Sequence, residues 1–298
     1  MEGHFPHIPA VTSYNWGVSI TDEEKRFIEE AAAYLEHPSL AARLADLVGR
    51  PVEKGIELLP GPVKGVVEAS SRKAIESALG VALSTIRVED TGRNIREANE
   101  AAKGAGAWHV AGTGFTGALG GLLGLPGLAL ELPVTTTVML RAIADVAARF
   151  GEDLSDRRVQ LDCLAVFSLG GPSRADDAVE SSYYTSRIAL AQLTEAAAVF
   201  VAGKSAKEIL KAVQQRSAPP LVALLVRISS RFNIVVGQKA LGQLVPVVGA
   251  AGGALINAAF TEHYHKVARY HFGLKKLERE HGAAEIQSQY RAALEKKV

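Results

Sequence analysis

Three groupings of residues in this sequence have types and spacings that could do chemistry. Glu262-His-Tyr-His265 and Glu278-Arg-Glu-His281 both carry a Glu-x-x-His spacing. On a helix that spacing puts a carboxylate and an imidazole on one face, as di-iron helix bundles require. His263 and His265, two residues apart, would splay instead. A bundle site also needs two further inward glutamates, for which Glu131, Glu180 and Glu195 are available with nothing in the pattern to select among them. Metal-dependent hydrolysis or oxidation at Glu262 and His265 is therefore an alternative reading and not the leading one. Gly112-Thr-Gly114-Phe-Thr-Gly117 has the form of a dinucleotide-binding turn, with Glu131 at about the distance of a ribose-binding acid. That chemistry needs a strand ahead of the glycines, and Ala101 to Ala107 reads as the end of a helix. Close helix packing through Gly112, Gly114, Gly117, Gly121, Gly124 and Pro126 is the favoured reading, with a dinucleotide-dependent oxidoreductase the lesser alternative.

The third grouping is polar residues set among apolar ones. Arg141 and Asp145, four apart, form either an exposed pair or the polar lining of a central groove, with Gly249 and Asn257 as further groove-lining or ligand-binding candidates. A buried Asn257 must find a partner, either a neighbouring backbone group or Arg141, because an unpaired amide costs about 1–3 kcal/mol. Cys163 lies in an apolar helix and reads as an inert core thiol. Tyr183, Tyr184 and Arg187 read as anchors of helix packing. The chain has no Walker lysine motif, no zinc-type cysteine pairing and no Gly-x-Ser-x-Gly elbow. It assigns no catalytic residue, and no cofactor is expected.

The elements that must position these residues are helical. Residues 1–20 read as an extended arm. Thr21 to Glu24 has the capping-box form, and Pro38 ends the helix it opens. Ser39 starts a second helix to about Gly49, and Pro62 starts a third with Ile75, Leu79, Ala82 and Ile86 in one stripe. Arg87 to Lys103 reads as a turn plus a solvated helix. Pro133 is expected to open a helix that closes at Gly151, with Met139, Ile143, Val146 and Phe150 inward. Ser155-Asp156 caps the next, which runs to about Leu169, and Asp176 to Val201 forms a long one. Ser205 caps a short helix, and Pro219 begins another to about Gly237. The last runs from near Pro246 or Gly253 through Leu277, and residues 281–298 continue as a charged helical tail. No alternation of strands and helices appears. The expected fold is all-α, one compact multi-helix domain.

Composition limits the partners. The 298 residues carry a net charge of +1 and 48% apolar residues, so bulk charge makes no case for nucleic acid. A single cysteine excludes an intramolecular disulfide framework and fits a reducing, cytoplasmic compartment. No basic stretch followed by an apolar one opens the chain, so no secretory signal is expected.

The long runs organise the rest. Val110 to Leu140 carries one charge, Glu131, and Leu241 to Thr261 carries none. The pairs Gly117/Gly121, Gly120/Gly124 and Gly249/Gly253 have small-xxx-small spacing, which lets helix backbones approach closely. A glycine-rich helical hairpin packed on the Pro246–Phe260 segment is the expected centre. Pro126, Pro133, Pro246 and Asn257 interrupt both runs, which favours a buried hairpin over a membrane span.

The residues now assembled resemble the EcsC protein family. They are Gly112-x-Gly114, Gly124-Leu-Pro126, Leu132-Pro133, Leu140-Arg141 to Asp145 and Phe150-Gly151 to Leu154. A second block holds Arg227, Arg231, Phe232, Lys239, Val245-Pro246, Gly249, Gly253, Asn257, Phe260, Val267-Ala268 and Leu277-Glu278. The resemblance covers about 60–280, within an EcsC-like region of 21–280. It implies an α-helical protein, bacterial in most cases, from a family named for a gene beside an ABC transporter and without an established activity. The expected function is non-enzymatic work at the inner face of the cytoplasmic membrane, binding lipid or a membrane transport protein.

Overall fold

A computed structural model describes residues 19–36, 59–83, 94–169, 182–243 and 249–296, with side chains apart from those of 105–126 and 242–252. The expected arm, the helix after Ser39, Ile86, Glu180 and Pro246 lie outside the described residues. Within them every regular element is helical, and no strand occurs.

Local chemistry sets most helix ends. α1 (Asp22–Glu36) opens on a capping box: Thr21 Oγ1 accepts from the Glu24 amide, and Glu24 accepts from the Thr21 amide at 2.7 Å. α2 (Gly61–Ala82) starts at Pro62 and buries Ile75, Leu79 and Ala82. α3 (Ile95–Arg149) is capped by Asn94, and Gly151 just past its end takes φ 80°, a left-handed conformation suited to glycine. Asp156 caps α4 (Arg157–Ala165), which continues as a 3₁₀ turn to Ser168. α5 (Ser182–Val201) precedes α6 (Ala206–Gln214), which opens on a second capping box between Ser205 and Glu208. α7 (Pro219–Gln243), α8 (Gly249–His281) and α9 (Ala283–Glu295) complete the chain.

α3 is 55 residues long and helical through Pro126 and Pro133. The expected start at Pro133 is thus corrected: the helix begins at Ile95, and the glycine-rich stretch is its middle. Each proline removes an amide donor and crowds the preceding turn, which bends a helix without ending it when neighbours support it. The bend is large. Arg96 lies 3.8 Å from Glu23, and the Phe150 ring lies 6.4 Å from that of Phe27, one turn along α1. A straight helix would hold Arg96 and Phe150 about 80 Å apart. α3 therefore folds back on itself as a helical hairpin.

Both arms of that hairpin flank α8. Asn99 on the first arm accepts from Arg269 at 3.0 Å, and Arg279 donates to the Phe150 carbonyl at 2.6 Å. Glu131 on the second arm meets α8 near Phe260 through Lys239. The second arm thus runs alongside α8 in the same direction. α8 is buried around most of its circumference between Ile256 and Leu277, with a narrow half-exposed stripe through Ala258, Glu262 and Lys266, and Phe260 and Tyr264 join Phe167 and Phe232 in an aromatic cluster at 5.0–5.9 Å.

Two further boundaries differ from expectation. α7 passes Gly237 and runs to Gln243, because Val235, Val236 and Ala240 keep one face buried. α8 continues to His281, where Gly282 at φ 91° breaks it. α9 is then a separate helix that buries Ile286, Tyr290 and Ala293, so this part of the tail belongs to the core.

Gly273 on α8 receives the Phe27 ring where a Cβ would sit. Phe27 is itself enclosed by Phe150 and Tyr270, so the ring has little room to move. We expect Gly273→Ala to lower stability by about 1–3 kcal/mol through overpacking, measured by urea unfolding. The additional change Phe27→Leu should recover part of that loss, and additive effects would contradict the contact.

Candidate functional site

The only charge between Val110 and Leu140 turns inward. Glu131 Oε1 lies 2.6 Å from Lys239 Nζ of α7, with the two side chains 4% and 0% exposed. Thr135, one turn on, donates to the same oxygen at 3.4 Å, and the Lys239 ammonium sits 5.2 Å from the Phe260 ring. Burial pulls the Lys239 pKa below its ordinary value, and the Glu131 carboxylate acts in the opposite direction. The other carboxylate oxygen, Glu131 Oε2, has no hydrogen-bond partner among the described residues.

The neighbouring outward positions on this arm are apolar. Leu130 is 71% exposed and Val134 52%, one turn apart, with half-buried Val138 and exposed Arg141 next along the same side. Leu255, near the start of α8, is also exposed. Glu131 is neither a ribose-binding acid nor a free metal ligand. Residues 95–117 form helix where a dinucleotide site needs a strand and loop, so the reading of Gly112–Gly117 as a nucleotide turn is overturned.

The Glu-x-x-His pairs also separate. Glu262 is one-third exposed and pairs with Lys266 at 2.9 Å, whereas His265 is buried. Glu278 is gripped by Arg187 at 2.7 and 2.5 Å and accepts from Tyr184, while His281 lies 3.1 Å from Glu24. The His281 side chain is only 5% exposed. The three-ligand cluster found among the described residues is Glu24, Glu280 and His281. It includes neither Glu262 nor His265. Glu195 pairs with Arg158 at the surface.

Of the groove candidates, Asp145 is held by Arg149 at 3.1 Å, and Arg141 faces solvent. Asn257 is fully buried on α8, and Gly249 begins that helix. Cys163 is buried, and burial pushes its thiol pKa well up, which leaves it an unreactive neutral thiol.

A second polar cluster has no counterpart in the sequence reading. His271 is linked to Tyr183 through Nδ1 at 2.9 Å and to Asp162 through Nε2 at 3.3 Å. Lys275 bridges Asp162 at 2.6 Å and Glu152 at 3.2 Å. Burial works against the Asp162 carboxylate, but His271 and Lys275 overrule it and hold its pKa well below the usual range. At His271 burial wins and lowers the pKa, so near neutral pH the imidazole is uncharged and Lys275 is the cation holding Asp162. Only the one-turn spacing of His271 and Lys275 could have signalled this cluster. Its partners come from other helices.

These features define an all-helical protein built on a folded-back glycine-rich helix around a buried polar helix. The chain belongs to the EcsC protein family, whose match runs over residues 22–277 and so takes in α1 as well as the later blocks. No curated protein matches the chain. No solved structure matches it either.

Two outcomes test this geometry. Lys239→Met leaves Glu131 buried without a counter-ion and should cost about 3–5 kcal/mol, while Glu131→Leu with Lys239→Met should return to within about 1 kcal/mol of wild type or exceed it. Chemical denaturation of the three proteins checks both figures. The second outcome concerns pH. A depressed His271 pKa contributes stability that is complete above its ordinary value of 6.5 and is lost as pH falls, with the Asp162 contribution lost below 3.8. Thermal melts should therefore show stability falling as the pH drops below 6.5, and His271→Gln should flatten part of that slope.

Proposed function

We propose that this protein associates with lipid bilayers by placing the outer side of the glycine-rich hairpin shallowly in one leaflet, and that it performs no catalysis there. The observation carrying this reading is the division across one turn of α3. Leu130 and Val134 stand exposed while Glu131 between them is turned inward and neutralised by Lys239. A segment entering hydrocarbon must hide or pair its charges, and an unpaired one costs about 2.5–3.5 kcal/mol at the centre of a bilayer-crossing helix.

Gly127–Arg149 and Pro219–Leu241 are long and apolar enough to cross a membrane, but 61% and 44% of their apolar windows are buried within the protein. The core helix of a soluble protein passes the same length and composition test. Shallow insertion uses the exposed positions without dismantling that packing. With a net charge of +1 the attraction rests on apolar contact, so salt should have little effect on it.

Co-sedimentation with phosphatidylethanolamine/phosphatidylglycerol vesicles tests the reading. The wild type should pellet with vesicles and stay bound through a high-salt wash. Leu130→Glu and Val134→Glu should each weaken binding by about tenfold or more with unchanged thermal melts. A wild type that remains in the supernatant at every lipid concentration would sink the proposal.

A further inference from the structure

A cavity of about 200 Å³ opens between α4, α5 and α8. Val159, Ala165, Leu169, Leu190 and Ala191 give it apolar walls, and Asp162, His271 and Lys275 form a polar side. Arg158 and Glu195 also line it, both well exposed and paired loosely at 3.5 Å. Arg187, whose guanidinium is held by Glu278, and Thr194 complete the lining. Thr194 is 7% exposed, and its buried hydroxyl has no hydrogen-bond partner among the described residues. A buried hydroxyl without a partner is unfavourable, and a ligand that bonds it removes the penalty.

The hydrogen-bonding capacity still available in this cavity is weighted towards donors. An ammonium carries three N–H donors and no acceptor, and Lys275 uses two on Asp162 and Glu152. A guanidinium carries five donors, and the Arg158 group lies 3.5 Å from the Glu195 carboxylate, which supplies the chief acceptor on this lining besides Asp162. Both nitrogens of His271 are engaged, by Tyr183 and Asp162. The Asp162 carboxylate is occupied by Lys275 and His271. Spare donors beside an apolar wall fit a molecule with an acceptor-only anionic head and a short hydrocarbon body. The volume limits it to about eight non-hydrogen atoms, since an engineered cavity of about 150 Å³ is known to hold benzene.

We infer that this cavity binds a small organic carboxylate, its oxygens received by the Thr194 hydroxyl, Lys275 and Arg158 and its hydrocarbon body by Leu169, Leu190 and Ala191. The site is separate from the hairpin and does not depend on membrane association.

Hexanoate is a suitable probe, with hexan-1-ol and hexylamine as matched bodies without the anionic head. Isothermal titration of the full chain should show saturable hexanoate binding at a single site, with the alcohol and amine at least about tenfold weaker. Thr194→Val keeps the side-chain shape, should melt at or above the wild-type temperature, and should weaken hexanoate by about tenfold. Arg158→Gln, a change at an exposed position, should weaken it several-fold and leave the melt unchanged. Absence of saturable hexanoate binding to the wild type, equal affinity for hexanol, or equal affinity in wild type and Thr194→Val would each overturn the assignment.

Discussion

Burial of most of the α8 surface, between the two arms of α3 and the helices around them, is the constraint on which the structure depends. A helix enclosed this way ordinarily carries apolar residues all round. α8 instead carries His263, His265, Arg269, His271 and Lys275 along its second half, and the first four are at most 6% exposed. Each polar group so placed needs a partner inside the protein or loses its hydration without return. The partners come from different helices. His263 meets Tyr34 of α1, Arg269 meets Asn99 on the first arm of α3, and His271 meets Asp162 of α4 and Tyr183 of α5. Glu278 holds Arg187 of α5, and His281 reaches Glu24 of α1. Apolar area drives the assembly, and these bonds set the register of each helix against the central one.

That division explains what could be read in advance. Helix ends are local events, so the capping residues Thr21, Asp156 and Ser205 and the closing Gly151 were legible from a few neighbouring residues. Glycine spacing and the absence of charge likewise pointed to a folded-back helix at the centre. Polar pairings were not legible, because Glu131 and Lys239 are 108 residues apart and Tyr34 and His263 are 229 apart. Spacing along one helix says which side chains share a face and nothing about what the face meets. Glu262 and His265 show the limit. They stand one turn apart, yet the carboxylate turns to Lys266 near the surface and the imidazole is buried. Pro133 shows another, since a proline suits a helix start and is also tolerated inside a supported, bent helix.

Lys239 could have been suspected. It interrupts an apolar stretch of α7 as Asn257 interrupts one of α8, and the reasoning that demanded a partner for the amide applies more strongly to an ammonium. Glu131 is the matching interruption in α3. Two opposite charges, each the lone ionisable group in a long apolar run, are candidates for each other whatever their separation in sequence.

Along the described part of α8 the polar contacts are unevenly distributed. Between Ile256 and Phe260, α8 has one polar residue, Asn257, and beside it the Glu131–Lys239 pair meets the Phe260 ring. From Thr261 to His281 the same helix carries most of its hydrogen bonds and ion pairs, close to where both ends of α3 meet α1. Beside the Glu131–Lys239 pair, Leu130 and Val134 stand exposed. Under the proposed shallow insertion, confining the one charge of Val110–Leu140 to the interior would let Leu130 and Val134 meet hydrocarbon while the bundle behind them stays intact.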